Sequence, residues 1–172
     1  IEGLDLSSLR ALFNGAEPVS PETIRRFSER FAKYGFRPEA LTPVYGLAES
    51  SLALTFSSTR VEPRIDCIKR EAFSRTGQAV PADDNDSRAL HFVSCGMPLP
   101  GHEVRIVDAT GYEAGERQEG KVEFRGSSAT RGYFRNPEDT QRLFHGEWLN
   151  SGDLGYIADG GLFLTGRAKD LI

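Results

Sequence analysis

The hydrophobic positions of this chain follow two patterns, which change near Ser57. Before that point two short apolar runs, LRALFNGA at 9–16 and LTPVYG at 41–46, flank a segment with helical spacing. An apolar run that ends in turn residues predicts a buried strand. Two such strands joined by a helix predict a parallel strand–helix–strand unit, and therefore the α/β fold class. Ligands of such sheets bind where the strands end, so the residues after each run are candidates for a site.

The intervening segment carries the start and stop signals of a helix. Ser20 fits the N-cap, Pro21 fits the first helical position, and Glu22 places an acid in the first turn. Gly35 predicts the C-terminal stop. Between these signals four large apolar residues recur at helical spacing: Ile24, Phe27, Phe31 and Tyr34.

From Leu90 onward the pattern changes to short β segments separated by Gly, Pro and Asp turns, which predicts an antiparallel sheet or small barrel. One helix candidate, NPEDTQRLF, interrupts them, with Asn136 as its N-cap. The stretch 58–89 lies between the two patterns and contains two prolines, a predicted short helix near Arg70–Ser74 and an acidic run. This composition is typical of an insertion rather than of a core element.

Composition narrows the function classes. The 172 residues carry 21 basic side chains scattered among 25 acidic ones, for a net charge of −4, which argues against nucleic-acid binding. No stretch approaches the roughly 20 apolar residues of a membrane span, and no secretory signal is visible. Cys67 and Cys95 have no metal-ligand spacing, and the three histidines are isolated. Reduced thiols and a cytoplasmic location are therefore expected.

The YGLAES stretch after the second predicted strand has the residue types of a nucleotide site. Tyr45 offers a ring that stacks on a base, Gly46 allows close approach of the backbone, and Glu49 offers the oxygen ligands that Mg²⁺ prefers. Alone, the stretch equally fits a glycine turn with an exposed glutamate. Both interpretations stay open at this point.

The FNGAEP stretch after the first predicted strand has small residues whose backbone groups can approach an adenine edge. A strand end followed by a turn and a capped helix explains it equally well.

The NSGDLGYIADGGLFLTGR stretch contains the most specific candidate nucleotide-binding residues. Asp153 lies between two glycines, on a predicted turn, where it can accept both hydrogens of a ribose diol. The ADGG sequence predicts a hairpin that folds a second strand back beside the first and brings Arg167 to Asp153. Such a pair can hold a ribose and a neighbouring phosphate. A weak surface salt bridge is the alternative.

Taken together, in order and spacing, these stretches resemble the adenylate-forming superfamily of acyl-CoA synthetases, luciferases and nonribosomal adenylation domains. Within it, the chain is most similar to the fatty acyl-AMP ligases, on FNGAEPV, IDCIKREAFSRTGQAVPA, VSCGMPLPGHEVRIVD and TGRAKDLI. The resemblance covers essentially the whole chain. It implies a piece of the family's large domain, an α/β portion at 1–57, an acyl-AMP-ligase-type insertion at 58–89, a mostly antiparallel β-barrel-like subdomain at 90–167, and a hinge at 168–172.

The resemblance also implies a role for each matching residue. The adenine pocket would be lined by Asn14, Gly15, Ala16 and Glu17, with Tyr45 stacked on the ring. The fatty-acid carboxyl and the α-phosphate would be bordered by Gly46, Leu47 and Ala48. Glu49 would bind Mg²⁺, Asp153 would hold the ribose with Arg167 beside it, and Lys169 would be the hinge about which a C-terminal domain swings.

The implied reaction activates a fatty acid with ATP and Mg²⁺ to an acyl-adenylate and releases pyrophosphate. The acyl group then passes to the phosphopantetheine of an acyl carrier protein; coenzyme A is the alternative acceptor. The family's Ser/Thr/Gly-rich phosphate loop and its C-terminal domain are not found in the 172 residues, so a fragment that is inactive alone is expected. A non-catalytic interaction module is the third hypothesis, and an exposed apolar surface would favour a dimer of the fragment.

Overall fold

The computed structural model describes residues 1–83 and 85–170. Eleven strands and three α-helices are assigned within these ranges. Their bounds, in chain order, are β1 Leu12–Asn14, α1 Pro21–Ala32, β2 Leu41–Tyr45, β3 Thr55–Phe56, β4 Ile65–Ile68, α2 Arg70–Thr76, β5 Leu90–Val93, β6 Met97–Pro98, β7 His102–Val107, β8 Gly120–Gly126, α3 Pro137–Leu143, β9 Phe144–His145, β10 Trp148–Ala158 and β11 Gly161–Arg167. Short 3₁₀ turns occupy Pro38–Ala40, Ala48–Ser50 and Ala168–Asp170.

The first sheet has the order β1-β2-β3-β6, and β1 and β2 are parallel, which confirms the strand–helix–strand prediction. The prediction that the first strand is buried is wrong, because β1 is three residues long and lies at the sheet edge. Its central residue, Phe13, is 59% exposed and contacts Phe56 of β3 edge-on, with 5.3 Å between ring centroids.

Helix α1 begins and packs as its sequence predicts. Ser20 caps it, since its hydroxyl accepts a hydrogen bond from the Thr23 amide at 3.3 Å. Ile24 is buried, and Phe27 and Phe31 pack beside it against the same small core as Leu41 of β2. Within the described residues, no helix is long and apolar enough to cross a membrane.

The second sheet is antiparallel, with the order β11-β10-β8-β7 and the short β9 paired to β10, as the β-rich pattern predicts. Its inner face is apolar: Val122, Phe124 and Leu162 are nearly inaccessible to solvent. Helix α3 starts at the predicted N-cap, where the Asn136 amide oxygen accepts a hydrogen bond from the Asp139 backbone N–H at 3.1 Å.

The stretch 58–89 contains β4, which pairs with β5, and α2, which confirms the predicted short helix. The expectation that it lies outside the core is wrong for Ile68 and Ala79. Both are fully buried, and they pack with Tyr156 and Phe163 of the β10–β11 hairpin. Its assignment as a ligase-type insertion stays a prediction. Residue 84 of this stretch and residues 171–172 of the predicted hinge lie outside the described residues.

Candidate functional site

The loops after β1 and β2 lie side by side. The strands are parallel, with Asn14 opposite Pro43, so the residues that follow them leave the same edge of the sheet. Gly15 is required at this approach: a Cβ there would lie 2.7 Å from the Val44 carbonyl oxygen. The two predicted adenine-site stretches therefore meet, as the α/β pattern predicts.

The loop that follows Tyr45 turns back on itself. The Leu54 amide donates to the Tyr45 carbonyl and the Leu52 amide to the Leu47 carbonyl, each at 3.0 Å. A Cβ on Gly46 would lie 1.5 Å from the Leu52 carbonyl oxygen, so only glycine fits. Ser51 and Leu52 take left-handed φ angles of 55° and 91°, which costs energy in a non-glycine residue. This tight loop fixes the backbone of the Ala48–Ser50 turn, which carries Glu49.

Tyr45, Asp153 and Arg167 form a connected group. The Tyr45 hydroxyl donates to Asp153 Oδ2 at 2.6 Å, and Arg167 Nε lies 3.6 Å from Asp153 Oδ1. Asp153 and Arg167 are directly opposite in the β10–β11 register, so the hairpin brings them together as predicted. Its turn has positive φ at Asp159 and Gly160, which suits a two-residue hairpin.

Asp153 lies within a strand, which corrects the prediction that it sits on a turn. The β10–β8 pairing breaks register between Asn150 and Leu154, and this irregularity separates the two paired parts of β10. The Asp153 side chain is 18% exposed. A carboxylate has about four acceptor positions, so Asp153 keeps capacity for a further donor beside Tyr45 and Arg167.

The electrostatics of this group favour a protonated Tyr45. Burial raises the pKa of Tyr45 above its ordinary value, and the Asp153 charge and hydrogen bond raise it further. Tyr45 thus stays a hydrogen-bond donor to the carboxylate throughout the physiological range.

Glu49 has partners that the sequence did not indicate. Tyr133 donates its hydroxyl to Glu49 Oε1 at 2.6 Å, and the Thr130 amide donates to the Glu49 carbonyl at 2.7 Å. The hydrogen bond to Glu49, with burial as the second cause, raises the pKa of Tyr133 to about 12. Both partners lie in the stretch RGSSATRGY at 125–133. In the sequence, only its Gly- and Ser-rich composition points to a functional loop. The Ser128 hydroxyl also donates to the Ser50 carbonyl at 2.7 Å, so this stretch supports the whole turn.

A magnesium ion at Glu49 would depend on the nucleotide. Among the residues the structure describes, no group of three or more His, Cys, Asp or Glu side chains could hold a metal by itself. Mg²⁺ is commonly bound by one or two carboxylates together with substrate phosphates. A single partly buried carboxylate on a rigid turn fits that mode, provided that phosphate oxygens complete the coordination.

For the other predicted site residues, the structure gives a position on a loop or turn and an exposed side chain. Ala16 has a φ of 70°, and it and Glu17 are exposed on the loop before α1. Ala48 is exposed on the Glu49 turn, and Lys169 is exposed on the 3₁₀ turn directly after β11. Within the described ranges, neither Glu17 nor Lys169 makes a polar side-chain contact that links it to Asp153, and the methyl groups of Ala16 and Ala48 have no polar atoms. Their predicted roles stay predictions.

Comparison with known proteins gives a family match. Residues 2–134 match the family described as AMP-binding enzyme. The medium-chain-fatty-acid–[acyl-carrier-protein] ligase JamA of Moorena producens is 37% identical over 179 residues, which cover 98% of this chain and 30% of that protein. The long-chain-fatty-acid–AMP ligase FadD32 of Mycolicibacterium smegmatis is 35% identical, over 98% of this chain and 30% of that protein.

A solved structure has the same fold over nearly all of this chain. It is the fatty acyl-adenylate ligase of L. pneumophila in complex with acyl adenylate and pyrophosphate, which superposes with a TM-score of 0.91 at 37% identity. The match covers 99% of this chain and 31% of that one. This chain therefore spans about 30% of the length of the curated relatives it matches.

Proposed function

This chain belongs to the AMP-binding enzyme family, and from that premise we propose that it forms the nucleotide-holding part of a fatty acyl-AMP ligase. The complete enzyme would join a fatty acid to ATP, form an acyl-adenylate and release pyrophosphate. It would then transfer the acyl group to the phosphopantetheine thiol of an acyl carrier protein. The catalysed reaction would need an enzyme of the relatives' length, of which this chain is one portion.

The observation that carries the proposal is the Tyr45–Asp153–Arg167 group beside the paired loops. Tyr45 and Asp153 are 108 residues apart in the chain and are joined by a 2.6 Å hydrogen bond. A carboxylate held between a phenol and a guanidinium suits a ribose diol, since charged acceptors form strong hydrogen bonds with hydroxyl donors. The adjoining backbone of Asn14, Gly15, Ala16 and Glu17 would then border the adenine.

The residues of this chain would act mainly by positioning. Asp153 would fix the ribose, while the loop of Gly46, Leu47 and Ala48 would hold the fatty-acid carboxyl near the α-phosphate. Alignment of two bound reactants removes much of the entropic barrier to their reaction. Mg²⁺, held by Glu49 and phosphate oxygens, would supply charge stabilisation when bound. Lys169 would serve as the hinge between adenylation and transfer.

The choice of a carrier protein over coenzyme A as acceptor rests on the stretch 58–89. Its strand β4 is paired to β5, and Asp66 is held by Arg117 in a bidentate ion pair at 2.9 and 3.0 Å. A segment anchored in this way would hinder the rotated pose that free coenzyme A needs. JamA, which is described as an acyl-carrier-protein ligase, agrees with this choice.

The test is a chimera in which residues 1–170 replace the matching segment of the L. pneumophila fatty acyl-adenylate ligase. We expect fatty-acid-dependent exchange of pyrophosphate into ATP by the chimera, and none by the 172-residue chain alone. A folded chimera that binds fatty acid without exchange would contradict the proposal.

The acceptor is assayed separately, with holo acyl carrier protein and coenzyme A offered to the same acyl-adenylate. Acylation of the carrier protein is expected. Efficient formation of acyl-coenzyme A would leave the adenylation proposal standing and would overturn the assignment of the acceptor.

A further inference from the structure

A cleft that lies away from the nucleotide loops contains three arginines. It has a volume of about 440 Å³ and is lined by Arg10, Arg37, Glu39, Ala40 and Arg60. The arginines come from three separate segments, and all three are exposed at the cleft. None of them belongs to the predicted nucleotide site.

The cleft lies at the opposite end of the parallel strands from that site. Arg10 comes two residues before β1 begins, and Arg37 immediately precedes the 3₁₀ turn that leads into β2. Strand β3 pairs with the end of β2, and the chain after it runs back along β2 until the Arg60 amide donates to the Glu39 carbonyl, just before β2 begins. The nucleotide loops, in contrast, follow the carboxyl ends of β1 and β2.

Hydrogen bonds to backbone carbonyls connect the segments that carry the three arginines. The Arg60 amide donates to the Glu39 carbonyl at 3.1 Å, with a φ of 76° at Arg60. Arg37 Nη2 donates to the Leu9 carbonyl at 3.4 Å, which ties the approach to β1 to the approach to β2. A guanidinium has five donors, so Arg37 keeps most of its hydrogen-bonding capacity for a ligand.

The charges of the cleft are not neutralised by the protein. Across 1–83 and 85–170, neither the three guanidiniums nor the Glu39 carboxylate takes part in an ion pair. Arg105 and Arg117, by comparison, each hold a buried carboxylate. Three cations and one anion leave the cleft with a net charge of +2, by the count 3 − 1, in a protein whose net charge is −4.

We propose that this cleft binds a small anion that carries two phosphoryl groups. Guanidinium forks match phosphate oxygens in a bidentate geometry, and three guanidiniums from three segments offer enough donors to hold two phosphoryl groups. Its volume admits either inorganic pyrophosphate or a small sugar bisphosphate. The two ligands share the same chemistry, and direct comparison of their affinities separates them.

The experiment is a titration of the 172-residue chain with each of the two anions, followed by isothermal calorimetry and by backbone amide shifts in NMR. We expect saturable binding of one anion per chain, with shifts centred on Arg10, Glu39 and Arg60. Shifts centred on Tyr45 and Asp153 instead would place the anion in the nucleotide site and overturn the proposal. The anion that binds with the higher affinity shows whether the cleft prefers inorganic pyrophosphate or a sugar bisphosphate.

Substitutions distinguish binding at this cleft from nonspecific attraction of the anion to positive charge. The triple variant R10Q/R37Q/R60Q should weaken binding by about tenfold or more, since hydrogen bonds between charged groups are lost. The matched control R75Q/R88Q/R142Q removes the same charge from exposed positions elsewhere and should leave affinity unchanged. Equal weakening by both variants, or no saturable binding by the parent chain, would refute the site. Circular dichroism of both variants establishes that they are folded.

Discussion

Replacement of Arg117 by methionine tests the ion pair that joins the stretch 58–89 to the antiparallel sheet. Arg117 donates to both oxygens of Asp66 at 2.9 and 3.0 Å and to the Ala79 carbonyl at 2.7 Å. Tyr156 donates to Asp66 Oδ2 at 2.7 Å. The side chains of Asp66 and Arg117 are 9% and 21% exposed, so the carboxylate would be left with one hydroxyl partner and little water.

Removal of one partner of a buried ion pair costs about 3–5 kcal/mol, because an uncompensated charge remains. The partial exposure of Arg117 admits some water, which favours the lower end, about 3 kcal/mol. That is a large share of the roughly 5–15 kcal/mol that stabilises a typical domain. The double variant D66L/R117M removes both charges, so it should recover part of the loss.

The assay is urea unfolding at neutral pH, followed by circular dichroism, with the free energy of unfolding taken by linear extrapolation. Arg125→Met is the matched control, because the carboxylate partners of Arg125, Glu103 and Glu147, are exposed; its midpoint should fall much less. If R117M lowers the free energy of unfolding by less than about 1 kcal/mol, the reasoning is refuted, because an exposed ion pair contributes that much. A double variant that is less stable than R117M would refute it as well.

Three further predictions concern single groups. Gly46→Ala should lower the free energy of unfolding by about 1–3 kcal/mol in urea titrations, because the new methyl meets the Leu52 carbonyl. Glu49→Gln should lower the pKa of Tyr133 from about 12 towards the ordinary 10, as measured by phenolate absorbance. Because the folded-state pKa of Tyr133 is raised, its stabilising contribution is present below about pH 10 and is lost as pH rises towards 12. Cys95, which is buried with a pKa raised to about 12, should react with iodoacetamide only after unfolding, as read by peptide mass spectrometry.

Each of these predictions has a control or a contradicting result. Gly166→Ala places its methyl in open space and should be much milder than the Gly46 variant. An unchanged phenolate titration in Glu49→Gln would contradict the assigned cause of the raised pKa. Rapid alkylation of Cys95 in the native chain would contradict its burial.

Local rules predicted the parts of the fold that depend on near neighbours. The Ser20 cap, the Asn136 cap and the Asp159–Gly160 turn each follow from residues within one helical turn or hairpin. The hairpin brings Asp153 close to Arg167, but the register set by its turn would place Gly166 opposite Asp153. A register shift between Leu154 and Gly155 places Arg167 there instead, and local rules do not predict that shift.

Contacts between distant segments were not predictable in the same way. The Tyr45–Asp153 and Glu49–Tyr133 hydrogen bonds join residues 108 and 84 positions apart, and no periodicity relates them. The two-residue strands β3 and β6 are too short to show alternation, so their place in the first sheet was missed. The exposure of Phe13 likewise follows from the edge position of β1, which a single apolar run does not reveal.

The proposed nucleotide site depends on Asp153 as the group that would hold the ribose. The most direct test compares ATP with 2′,3′-dideoxy-ATP as substrates of the chimera, with and without Asp153→Ala, by kcat/KM in pyrophosphate exchange. Hydrogen bonds to a charged group are worth about 1.5–3 kcal/mol, so the parent chimera should prefer ATP by roughly tenfold or more. Asp153→Ala should abolish that preference. If the variant remains active and still prefers ATP to the same degree, Asp153 does not hold the ribose and the proposed nucleotide site is wrong.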